Sequence, residues 1–206
     1  MSDQASGQRE SANTRGAALW VMGGLGYLLL EAFAAAGYRP HYSYAHNYIS
    51  DLGVTGARTQ LMHAAFWLHG TLFLLGALFI VGRPADRRAR VFLGMAAANA
   101  LGNIVVATVH SGTVHIAGAA LAIVGGNAAI LAGSAVIRPT RQWYRSTSKI
   151  IGVVGFSSLV MLVIDSATTA IDLLPSGVWE RGSVYSITLW QLLTAACLLT
   201  DARAPD

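Results

Sequence analysis

Apolar residues run through this chain in six long blocks, near 17–37, 60–82, 89–109, 113–136, 149–171 and 183–200, divided by short polar gaps. A block of about 20 mostly apolar residues is the length of an α-helix that crosses the hydrocarbon core of a bilayer. The pattern predicts an all-α fold, a six-transmembrane-helix bundle forming one domain over residues 17–200, with polar ends at 1–16 and 201–206. Residues 1–16 are rich in Ser, Gln and Asn and read as a disordered tail. The sequence AFAAAG at Ala32–Gly37 looks like a small-residue cleavage site. The apolar stretch before it is too long for a secretory signal and carries Glu31, so the first helix is expected to stay in the protein.

Composition agrees with a lipid solvent. Of 206 residues, 54% are hydrophobic and 12% charged, and a chain this poor in charge cannot cover a globule with polar surface. The single cysteine, Cys197, excludes a disulfide framework and a cysteine metal site. A net charge of +4 would suggest nucleic acid in a soluble protein. Here the cations stand in the gaps between apolar blocks, so they report topology, and no nucleic-acid partner is expected.

Arg9, Arg15, Arg83, Arg87, Arg88, Arg90, Arg138, Arg141, Arg145, Lys149 and Arg203 fall on one side of the six spans, eleven cations against three, Arg39, Arg58 and Arg181, on the other. The excess of Lys and Arg on cytoplasmic loops then places both termini in the cytoplasm of a multi-pass cell-membrane protein. With that orientation all six histidines lie outside or in the outer half of the bilayer, together with Glu31, Asp51, Asp165, Asp172 and Glu180.

Helical periodicity sharpens this asymmetry. Asn99, Asn103 and His110 share one stripe of the third helix, and Ser158, Asp165, Thr169 and Asp172 one stripe of the fifth. A carboxylate at the centre of a span costs about 2.5–3.5 kcal/mol, so such stripes turn inward. Glu31 and Asp165 should sit roughly 10 Å below the outer boundary, at about 1.5 Å per residue, and together predict a polar pocket that opens outward. The small residues Gly118, Ala122, Gly126, Ala129 and Gly133 line one side of the fourth helix and predict close helix packing.

Candidate chemistry concentrates in three segments. The first outer loop, RPHYSYAHNYISDLG from Arg39 to Gly53, carries His46, Ser50 and Asp51, which could fold over the pocket mouth as a lid; Ser50 or Asp51 could instead cap a short helix. Its tyrosines, Tyr42, Tyr44 and Tyr48, read as interfacial anchors. The turn HSGTVH places His110 and His115 where both could face one ligand. Zinc needs three or four protein ligands, so Asp165, Asp51 or a further histidine would have to complete the set; otherwise the imidazoles bond free helix-end carbonyls. In LPSGVWERGS, Glu180 suits the positive end of the last helix dipole, while Arg181 either pairs with Glu31, Asp51 or Asp172 or holds an anionic group.

Taken together, YSYAHNYISDLG, HSGTVH and WERGSVYSITLW resemble the three landmarks of the domain-of-unknown-function 998 family of bacterial and archaeal membrane proteins, over nearly the whole chain after the N-terminal tail. The resemblance implies six spans in one domain and carries no activity with it. The residues themselves admit a membrane-embedded hydrolase or transferase acting on a lipid or lipid-linked substrate. His46 or His110 would be its base, with Ser50, Asp51 and Asp165 in catalysis and Glu31, Asn103, Asp172, Glu180 and Arg181 on the substrate. They also admit a module that binds or transports an ion, lipid or small solute, and a structural accessory subunit whose polar groups bond helix to helix.

Overall fold

The structure, a computed structural model, describes residues 2–84, 86–137, 139, 141–168 and 173–202. Its elements are the helices α1 (Ser2–Ala35), α2 (Asp51–Val54), α3 (Thr59–Val81), α4 (Arg87–Thr108), α5 (Gly112–Val136), α6 (Tyr144–Ala167) and α7 (Ser176–Asp201). All except α2 are long and apolar enough to cross a membrane, so the six expected spans are present. All six begin earlier than hydropathy predicts, and α1, α6 and α7 do so by more than a turn. The segment 1–16, expected as a disordered tail, is helical from Ser2, because it holds no proline and continues straight into a turn where Gly16 and Ala17 are buried against α3. The last helix starts at Ser176, directly after Pro175, rather than at 183. Glu180 and Arg181 therefore stand more than a turn inside α7, and the helix-end role expected for Glu180 falls away.

Neighbouring helices run antiparallel. Gly16 of α1 meets Gly76 and Ile80 of α3 while Gly26 meets Leu68, and Tyr144 of α6 bonds Thr194 of α7 while Gly182 meets Ser158. Contacts pass from α1 to α3, α4, α5, α6, α7 and back to α1, a closed ring, with α7 also touching α5. Gly82, at φ 63°, ends α3, and Gly112, at φ 83°, turns the chain between α4 and α5, both in the left-handed region that glycine enters without a Cβ clash. At one end of the ring lie the loop 36–58, the turn at His110 and the start of α7; this is called the loop end below. The other end carries the arginine-rich connections.

Two clusters fill the interior. Toward the arginine-rich end, Trp20, Phe73, Phe92, Ile130 and Trp190 pack together, with Trp20 and Trp190 ring centroids 5.3 Å apart. Both indole N–H groups are satisfied, Trp20 by the Phe73 carbonyl and Trp190 by Ser148 Oγ, each at 2.9 Å. Toward the loop end, Tyr27, Ile49, Leu52, Met62 and Phe66 form the second cluster, so the loop contributes to the core. Large apolar side chains such as Leu29, Phe33, Ile116, Ile150, Val163 and Leu189 point outward and are more than half exposed, the surface expected of a bundle solvated by lipid.

The small-residue face of α5 does what its spacing predicts. Gly118 and Ala122 pack on Gly102 and Val105 of α4, Gly126 on Ile187 and Gly133 on Trp190. A Cβ on Gly102 would lie 2.6 Å from the Gly118 carbonyl oxygen and 2.7 Å from Ala122 Cα. Both are backbone atoms, so the helices themselves would have to part. Gly102→Val is expected to cost about 3 kcal/mol and to lower the unfolding midpoint in detergent by several degrees. Gly94→Val, on the same helix with nothing within 4 Å of its Cβ, should leave that midpoint unchanged.

Candidate functional site

Arg181 organises the loop end. It projects from α7 into the space between α1 and the loop, where it is 7% exposed. Its Nη1 donates to the carbonyls of Tyr44 at 2.7 Å, Asn47 at 2.9 Å and Gly177 at 3.1 Å. Its Nη2 donates to Tyr42 Oη and lies 3.4 Å from Glu31 Oε1. The guanidinium carbon also stands 4.9 Å from the Tyr44 ring centroid and 5.3 Å from that of Tyr42. A planar cation with several donors suits this arrangement, reaching a carboxylate, a phenol and a stretch of backbone at once. Arg181 Nε is buried and has no partner.

Glu31 completes the pair from α1. It is 1% exposed, and Tyr185 Oη, one turn beyond Arg181 on α7, lies 2.9 Å from both of its oxygens and donates to the carboxylate. Of the partners expected for Arg181, the structure selects Glu31. Asp51 instead accepts the Tyr48 N–H at 2.9 Å and so fixes the turn before α2, and Asp172 lies outside the described residues.

The loop is thereby tied down at several points. The Ile49 N–H donates to Glu180 Oε2, Tyr42 Oη donates to the Tyr48 carbonyl at 2.9 Å, and His63 Nε2 on α3 is 2.7 Å from the Gly53 carbonyl. Ile49 and Leu52, each 1% exposed, insert into the bundle. Tyr42 lies outside the spans, and burial pushes its phenol well above the usual tyrosine range, with Arg181 opposing that shift. The unfolded chain therefore gives up this proton first, so stability from Tyr42 is present below its ordinary value of about 10 and falls as pH rises beyond it. An unfolding series in detergent should show an alkaline loss that is smaller in Tyr42→Phe.

Beneath this roof lies a cavity of about 40 Å³. Ser50, Glu180, Asn103, Tyr27 and His69 border it, with Phe66 and Ile187 among its apolar walls. Asn103 Nδ2 donates to the Asn99 carbonyl at 2.9 Å, and Asn99 Nδ2 to the Ala122 carbonyl at 2.8 Å. Tyr27 Oη is buried without a hydrogen-bond partner, although such groups are almost always paired, whereas buried His69 has the Gln191 side chain beside it.

Of the residues singled out in the sequence, Ser50, Asn103 and Glu180 border the cavity, and Glu31 and Arg181 form the ion pair at the same end of the bundle. Four others stand elsewhere. His46 is exposed on the loop surface. His110 is exposed and stacks on His63, with centroids 4.2 Å apart and planes 3° from parallel. Asp165 accepts a hydrogen bond from Ser176 Oγ across the α6–α7 connection. His115 Nδ1 lies 2.6 Å from the Val109 carbonyl, the helix-end role weighed against zinc, and no group of three His, Cys, Asp or Glu residues suited to a metal occurs among the described residues. Tyr42 and Tyr44, expected as interfacial anchors, also hold Arg181, and Tyr185 and Tyr27 join this end of the bundle without having been expected there. The spacing held a usable sign: Tyr185 lies four residues after Arg181 and Tyr27 four before Glu31, so each shares a helical face with its charged neighbour.

No curated protein and no solved structure matches the chain. A family model described as a protein of unknown function, DUF998, matches residues 12–197 and so takes in the loop, the histidine turn and the start of α7. With six helices long and apolar enough to cross a membrane, this multi-pass membrane protein belongs to the DUF998 family.

Proposed function

We propose that this protein is a binding module of the cell membrane. Its loop end faces outward, both termini lie in the cytoplasm, and an ion or a polar solute not much larger than a water molecule is taken up in the cavity of about 40 Å³ beneath the loop 38–54. The distribution of cations, eleven to three, supports that orientation. The observation that carries the binding reading is the buried, unpartnered Tyr27 Oη bordering one cavity under a roof held by Arg181. A buried polar group left unmade costs about 1–3 kcal/mol, and a guest offering hydrogen bonds would remove that cost. The hydrolase or transferase reading has less support. Asp51 and Asp165 already accept hydrogen bonds from Tyr48 N–H and Ser176, and His46 and His110 stand away from the cavity that Ser50 borders.

Tyr27→Phe separates binding from a purely structural role. It removes the unpaired hydroxyl and keeps the ring that packs on Phe66 and His69. Ligand-free variant should be as stable as the parent or more so, by about 1–3 kcal/mol, while the small polar solute or ion retained through purification and read by mass spectrometry should be depleted. Identical retained material in parent and variant would count against the proposal.

A further inference from the structure

At the opposite end of the bundle a crevice of about 450 Å³ opens between α1, the α3–α4 turn and the ends of α5 and α7. That volume falls in the range of small-molecule sites, about 300–1,000 Å³. Arg9 and Asn13 of α1 and Arg83 of the α3–α4 turn supply its polar wall, and Ile80, Val136 and Leu198 much of its apolar one. Asp86 also borders it, but one of its carboxylate oxygens accepts the Ala89 N–H at 2.8 Å as the cap of α4. Both arginines are exposed at the crevice rim. Arg9 and Asn13 reach it only because α1 extends as a helix through residues that composition marks as a tail.

We propose that this crevice is a binding site for the phosphate headgroup of an anionic phospholipid, with Arg9 and Arg83 on the phosphate and the apolar wall against the upper acyl carbons. The geometry favours a lipid over free phosphate, since two cations beside an apolar surface at the end of a lipid-solvated bundle match an amphiphile whose charge and chain meet at that depth. The site is separate from the one under the loop and does not rest on it.

Native mass spectrometry of the full chain in detergent, titrated with phosphatidylglycerol and with phosphatidylcholine, tests the assignment. Phosphatidylglycerol should bind more tightly, and the double variant Arg9→Gln, Arg83→Gln should weaken it about thirtyfold, as expected for two basic contacts at a membrane surface. Arg87→Gln, Arg88→Gln removes the same charge from the adjacent start of α4, outside the crevice, and should change binding by less than about threefold. Equal losses in the two double variants, or no preference for the anionic lipid, would overturn the site. Displacement of phosphatidylglycerol by millimolar inorganic phosphate would overturn the lipid assignment.

Discussion

Arg181→Met is expected to destabilise the protein by about 3–5 kcal/mol, the usual consequence of removing one partner of a buried ion pair. The loss has two parts. Glu31, 1% exposed, would keep a buried charge with only Tyr185 Oη to bond it. The carbonyls of Tyr44 and Asn47 would lose their donor, so the loop would lose its anchor on α7. Arg181→Lys should recover only part of this, because an ammonium cannot present donors in the guanidinium's planar fork or stack in the same way against Tyr42 and Tyr44. Adding Glu31→Gln to Arg181→Met should restore much of the lost stability, since the two residues act as one unit. Chemical or thermal unfolding in detergent measures all three variants. Equal losses in the single and double variants would mean that the charges do not see each other.

Gly177→Val should release the same loop without altering any side chain of the cluster. A Cβ at that position would stand 2.7 Å from the Ala45 carbonyl oxygen and 3.0 Å from its carbon. These are backbone atoms, so the loop would have to lift away from α7, and overpacking of this kind costs about 1–3 kcal/mol. Lifting it would also lengthen the bonds from Arg181 to Tyr44 and Asn47. The expected result is faster proteolysis within residues 38–54 with the six long helices intact by circular dichroism. Unchanged cleavage would show that the contact at Gly177 does not hold the loop.

The six spans were legible because a bilayer sets the length and apolarity of anything that crosses it. Where α1 and α7 begin was not, since hydropathy marks the part of a helix that lies in lipid and is blind to a polar extension such as Arg9–Arg15. Part of the polar grouping at one end was also legible, in that Ser50, Asn103 and Glu180 border one cavity and Glu31 pairs with Arg181. The choice of Glu31 over Asp51 as the partner of Arg181 was not, because the two are 150 positions apart and only the packing of α1 on α7 brings them together. The contact of Tyr42 and Tyr44 with Arg181 was not legible, for a physical reason. A tyrosine ring suits both a membrane interface and the face of a cation, and Tyr42 and Tyr44 take the second role as well. The stacking of His63 on His110 had no trace in either segment, since it depends on how α3 and α4 meet.

Arg181 holds the loop 38–54 as a closed roof over a small cavity with mostly apolar walls and a few polar groups, Ser50, Asn103 and Glu180 among them. A cysteine at Ile49, which is 1% exposed beneath that roof, in a Cys197→Ala background, reports closure through its rate of labelling by a membrane-impermeant maleimide in intact cells. Slow labelling is predicted with Arg181 in place, with a rise of about a hundredfold when Arg181→Met is added, in proportion to the lost local stability. Equal rates in the two backgrounds would contradict the claim.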